Sequence, residues 1–194
     1  MTPFAVLISG RGTNMKAIAE SVRSGRLPGR IVLVASDNPD APGLKTAKRM
    51  GLETAVLPYA SGRREAESAL KELCISRGSE WIVLAGFMRI LSPDFVRSFP
   101  RRIVNIHPAL LPSFPGRDGI GDAWRRGVKV TGVTVHLVDE GVDSGPILAQ
   151  RPLAIHPGET LERLEKRIHR LEHRIYPETL LALFTGSLPE ERRS

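Results

Sequence analysis

The chain has 194 residues, 41% hydrophobic and 25% charged, with a formal net charge of +7 and a pI near 10.2. That composition fits one globular domain with a substantial core and excludes a low-complexity or disordered chain. A lone cysteine (Cys74), no signal-peptide pattern and no membrane-length apolar run predict a protein of the reducing cytoplasm, without disulfides or a membrane span.

In chain order, Phe4 to Ile8 form a short apolar run, followed by Ser9-Gly10-Arg11-Gly12-Thr13-Asn14 and an amphipathic segment from Met15 to about Ser24, ended by Gly25. Strand, glycine turn and helix aim backbone N–H groups and a helix dipole at an anion. Asp37, after the next strand (Ile31 to Ala35), mimics the acid that grips a dinucleotide ribose, but the third glycine of that fingerprint is Met15 here. A single-phosphate site at Gly12, Thr13 and Asn14 fits better.

Ala41 to Met50 reads as a helix closed by Gly51, Thr54 to Leu57 as a short strand, and Arg63 to Arg77 as a helix with Ala66, Ala69, Leu70, Leu73 and Cys74 on its apolar side. Cys74 is therefore core filler. Trp81 to Ala85 is wholly apolar, the mark of a strand buried on both faces. The following Gly86-Phe87-Met88-Arg89-Ile90-Leu91 is an apolar loop, either core lining or a wall for a flat ring. This alternation predicts a doubly wound, mainly parallel α/β sheet of Rossmann-like type.

Ile103-Val104-Asn105-Ile106-His107-Pro108 comes next. Proline stops the strand at His107, and alternation puts Asn105 and His107 on one side at the end where such sheets bind ligands. Asn supplies an uncharged donor suited to an oxygen gaining negative charge, and His exchanges protons near neutral pH. Asp143, in Asp139-Glu140-Gly141-Val142-Asp143-Ser144-Gly145-Pro146, is the candidate to orient and charge that His; the alternative is a simple turn residue. This acidic loop joins two strand-like runs, Val130 to Val138 and Ile147 to Ile155, as a C-terminal antiparallel hairpin. His136, in mid-strand, is read as structural.

A long amphipathic C-terminal helix begins near Glu159, with Leu161, Leu164, Ile168, Leu171 and Ile175 in register; Pro177 is expected to interrupt or restart it before Gly186. His169-Arg170-Leu171-Glu172-His173 spells the H-x-x-E-H zinc signature, but a further carboxylate ligand in good geometry is lacking. His169 and Glu172 are instead expected to face a polar ligand. The arginines are scattered and aromatics are 5% of the chain, so nucleic acid is not an expected partner. Residues 1–186 are read as a single domain and 187–194 as a polar, frayed tail.

With these motifs in this order, the chain resembles the phosphoribosylglycinamide formyltransferases, folate-dependent enzymes of purine synthesis. The resemblance runs from about Phe4 to Gly186. It implies a formyltransferase fold, 10-formyltetrahydrofolate as cosubstrate, no metal, and a monomer or homodimer. It implies Asn105, His107 and Asp143 as the catalytic set, with His107 kept protonated by Asp143. Gly12, Thr13 and Asn14 would hold the substrate phosphate, and His169 with Glu172 would approach the ribosyl-glycinamide. The folate would lie along Met88, Arg89, Ile90, Leu91 and Asn105, and along Asp139, Glu140, Gly141 and Val142, with Arg64 near its outer portion. Where the family often has histidine after Pro115-Gly116, this chain reads Arg117-Asp118-Gly119, and His169 stands where glutamine is frequent. Methionyl-tRNA formyltransferase, with a further C-terminal domain, and formyltetrahydrofolate hydrolase, with a module before the first strand, are similar too; neither extra module is expected here.

Overall fold

The computed structural model describes residues 1–188, so the predicted tail from 189 onward lies outside the described residues. The elements are β1 (Thr2–Ile8), α1 (Thr13–Arg23), β2 (Gly29–Ser36), α2 (Pro42–Arg49), β3 (Thr54–Val56), α3 (Arg63–Ser76), β4 (Trp81–Leu84), α4 (Pro93–Ser98), β5 (Ile103–His107), α5 (Gly119–Arg126), β6 (Val130–Leu137), β7 (Ile147–Ala154) and α6 (Leu161–Thr185). They build a seven-stranded sheet in the order β3-β2-β1-β4-β5-β6-β7. The first five strands run parallel; β6 and β7 are antiparallel additions.

Alternation along β1 explains the two layers of core. Phe4, Val6 and Ile8 face a cluster with Met15 and Ile18 of α1, Leu44 of α2 and Leu164, Ile168 and Ile175 of α6. Ala5 and Leu7 face the opposite cluster, with Ala66, Leu70 and Cys74 of α3 and Phe95 and Val96 of α4. Helices on both faces of a mainly parallel sheet are the predicted doubly wound arrangement. Pro152 is tolerated because β7 is an edge strand.

The helix expected to break at Pro177 is a single helix, Leu161–Thr185, with the proline inside it. Its start is fixed by Thr160, whose side chain accepts from the Arg163 N–H. Buried residues flank the proline on both sides, from Leu164 to Tyr176 and on to Leu180, so packing on the sheet carries the helix past the missing N–H. The fully buried Tyr176 adds a polar tie, its hydroxyl lying 2.9 Å from the Leu84 carbonyl and 3.0 Å from that of Val104. It thereby fixes α6 to β4 and β5, the strands that lead to the apolar loop and the Asn-His pair.

Two short helices escaped the periodicity, α4 and α5. Each is anchored by a side-chain cap: Ser92 accepts from the Phe95 N–H, and Asp118 from the Gly121 N–H.

Candidate active site

The strand order reverses between β1 and β4, and there the carboxyl ends of the strands open a crevice. A cleft of about 440 Å³ occupies that place, lined by the loops after β1, β4 and β5, by the β6–β7 loop and by α6. Its size suits one or two small organic ligands.

At one end stands the N-terminus of α1. Gly12 caps it in the left-handed region (φ 69°), which glycine adopts without steric cost. A Cβ there would lie 3.0 Å from Gly43 Cα and 3.2 Å from Met15 Cε, so the residue is fixed by packing as well as by conformation. No acidic side chain occupies the first turn to compete for an anion. The buried Glu172 carboxylate of α6 reaches across: Asn14 Nδ2 donates to it at 3.3 Å and His169 Nδ1 at 2.8 Å. That hydrogen bond to Glu172 outweighs desolvation and raises the His169 pKa. His173 does not line the cleft, and burial lowers its pKa.

At the other end, Met88, Arg89, Ile90 and Leu91 form a wall, with Asp139, Gly141 and Val142 opposite. Met88 and Ile90 expose large apolar side chains, the property a planar ring requires of its binding surface. Two expected folate contacts are not brought here. Glu140 turns outward to Arg97, Oε2 to Nη1 2.7 Å, and Arg64 sits exposed on the first turn of α3, outside the cleft.

Between the two ends lie Asn105, His107 and Asp143. Pro108 ends β5 at His107 as expected, and the ring is 3% exposed. His107 Nδ1 lies 3.4 Å from Asp143 Oδ2, and Nε2 lies 2.7 Å from the Phe114 carbonyl oxygen. Both ring nitrogens face acceptors, the surroundings an imidazolium prefers. Asp143 is held in the left-handed region (φ 53°), a conformation that Asp tolerates better than most residues. The Gly116 N–H donates to its Oδ2 at 2.8 Å, and Asn105 Nδ2 approaches its Oδ1 at 3.5 Å. Burial pushes the Asp143 carboxyl up, but the His136 ring, the Gly116 N–H and the charge of His107 together hold it below the ordinary value of 3.8.

His136, read from sequence as structural, belongs to this group. The antiparallel register places Asn105 directly opposite His136, with Nδ2 and Nε2 3.2 Å apart. Its Nε2 is also 3.5 Å from Asp143 Oδ1, while Nδ1 donates to the Leu137 carbonyl at 2.8 Å. Nε2 accepts from the amide when the ring is neutral and donates to the carboxylate when it is charged. The one sequence signal was parity: His136 and Asn105 share a face only if the hairpin pairs in this register.

Asp37 holds no ribose-like position. Its carboxylate accepts from Ser9 Oγ and Arg89 Nε. In the Arg117-Asp118-Gly119 segment, Asp118 caps α5 and pairs with Arg125 at 2.6 Å, while Gly119 lies against His107.

The formyl transferase family model matches residues 2–180. The phosphoribosylglycinamide formyltransferase of Bacillus subtilis is 40% identical over 185 residues, covering 94% of this chain and 95% of that one. The trifunctional purine biosynthetic protein adenosine-3 of Gallus gallus is 41% identical over 186 residues, covering 95% of this chain but 18% of that protein. Among solved structures, glycinamide ribonucleotide transformylase 1 from Symbiobacterium toebii superposes with a TM-score of 0.95 at 44% identity, covering 100% of this chain and 92% of its own. The chain belongs to the formyl transferase family.

Proposed function

We propose that the cleft transfers the formyl group of 10-formyltetrahydrofolate to the amine of 5′-phosphoribosylglycinamide, a step of purine biosynthesis. The observation that carries this reading is the convergence of Asn105, His107 and Asp143 between a helix N-terminus and an apolar wall, in a chain whose relatives bear that activity in their names. The substrate phosphate takes the N–H groups of Gly12, Thr13 and Asn14, and His169 with Glu172 meets the ribosyl-glycinamide. The folate ring lies on Met88 to Leu91, facing Asp139, Gly141 and Val142. Arg64 is left to the part of the folate projecting beyond the cleft.

The glycinamide nitrogen attacks the formyl carbon, forming a C–N bond and placing negative charge on the former carbonyl oxygen. Asn105 donates to that oxygen, and the His107 imidazolium, paired with Asp143, stabilises it electrostatically. The bond from the formyl carbon to N10 then breaks, and the proton lost by the attacking amine is taken up by N10. The folate leaves as tetrahydrofolate.

The test is turnover. Purified protein with 10-formyltetrahydrofolate and phosphoribosylglycinamide should release tetrahydrofolate without added metal and in the presence of a chelator. Release that needs a divalent ion, or that proceeds equally without the amine acceptor, overturns the reading.

A further inference from the structure

The loop after β1 and the loop after β4 serve different ligands in the proposed reaction, yet they are tied by a polar link that no step of it uses. The Ser9 N–H donates to the Gly86 carbonyl at 3.0 Å. The Met88 N–H donates to Ser9 Oγ at 2.8 Å, and Ser9 Oγ in turn donates to Asp37 Oδ1 at 2.5 Å. The other carboxylate oxygen accepts from Arg89 Nε at 2.6 Å, while the Arg89 guanidinium lies 4.9 Å from the Tyr59 ring centroid. The Asp37 side chain is 7% exposed, whereas that of Arg89 is 48% exposed. A nearly buried carboxylate thus spends both oxygens on the two loops. An acid buried this far is retained only with such partners, so the link is under a strong constraint to stay made.

We infer that Asp37 is a positioning residue that joins the phosphate loop to the folate wall and so couples the binding of the two substrates. Ser9 opens the segment leading to Gly12, Thr13 and Asn14; Met88 and Arg89 begin the wall. A ligand that settles one loop settles the other through Ser9 and Asp37, so the second ligand meets less ordering cost. Coupling of this kind is reciprocal: each substrate tightens the other by the same factor. The inference rests on the proposed function for what each loop binds.

The test uses a pair that cannot react, tetrahydrofolate and phosphoribosylglycinamide, because neither carries a formyl group. Calorimetry gives the tetrahydrofolate Kd with and without saturating ribonucleotide, for the whole protein and for Asp37→Asn. Asn keeps the shape but places an N–H toward either Ser9 or Arg89. In the unaltered protein the ribonucleotide should tighten tetrahydrofolate at least about fivefold. In Asp37→Asn that ratio should fall toward one, with the ribonucleotide Kd measured alone nearly unchanged. Ser9→Ala, which removes the same bridge from the other side without disturbing a charge, should show the same loss, and Ser9→Thr should restore it. Equal ratios in the unaltered protein and both variants overturn the coupling while leaving the activity intact. If the unaltered protein binds neither compound, the reading of the cleft fails, and the inference falls with it.

Discussion

Asp143 Oδ2 lies 3.4 Å from His107 Nδ1, the meeting of a strand end and a distant acidic loop. The carboxylate's φ of 53° and its hydrogen bond from the Gly116 N–H fix it there independently of His107. Asp143→Asn should therefore leave the local backbone in place and remove the charge. Activity near neutral pH should fall on the order of 100- to 1,000-fold, the loss seen when one stabilising element of an oxyanion site is removed. Activity at the level of the unaltered protein would mean that the charge of Asp143 is irrelevant.

The same residue sets an acid limit on stability. Its folded pKa is lower than 3.8, so its contribution is complete well above that value and is lost as pH falls through the folded pKa. Urea unfolding across the acid range should show a shallower decline in Asp143→Asn than in the unaltered protein. Parallel declines would assign acid sensitivity to other carboxylates.

Gly119 is the residue by which the α5 segment reaches the chemistry. A methyl group there would lie 2.9 Å from His107 Nε2 and 3.2 Å from the Phe114 carbonyl. Gly119→Ala must shift one or the other, and a misplacement near 1 Å can cost about 100-fold. The expected result is a fall in kcat with little change in either KM. Unaltered kcat would show that the Phe114 contact of His107 has no part in catalysis.

His169 offers a test of the phosphate end. Its raised pKa makes it cationic over a wider range than an unpaired histidine with the ordinary value of 6.5. The sign follows: favourable interaction with an anion is present at low pH and is lost as pH rises through the raised value. Ribonucleotide Kd should weaken across that rise, and His169→Gln should weaken binding on the acid side while flattening the profile. A steep profile persisting in the variant would place the titrating group elsewhere.

Much of this was legible in the sequence. Period-two and helical spacing located the main strands and most helices, and Pro108 marked the end of β5 to the residue. What escaped was either too short to show a period or dependent on distant partners. The short α4 and α5 hold too few turns to show a period, and their caps are their main signal. His136 looked like any mid-strand histidine until register set it across from Asn105. Asp37 looked like a ribose acid because nothing in its own neighbourhood reveals Ser9 or Arg89 as its partners. Pro177 sits inside a helix that local propensity would break, held by the burial of Ile175, Tyr176 and Leu180.

Tyr176 is the polar part of that hold. Tyr176→Phe keeps the ring and leaves the Leu84 and Val104 carbonyls without their hydroxyl donor. Denaturant unfolding should report a loss of about 1–3 kcal/mol. A neutral result would mean that apolar packing alone seats α6.

In the proposed reaction the formyl carbon passes directly from folate nitrogen to glycinamide nitrogen. Carbon-13 in the formyl group of 10-formyltetrahydrofolate, followed by NMR during turnover with phosphoribosylglycinamide, reads this without intermediaries. The label should appear in the N-formyl amide of the ribonucleotide in step with tetrahydrofolate release. Label accumulating as free formate, with the ribonucleotide unmodified, would contradict it.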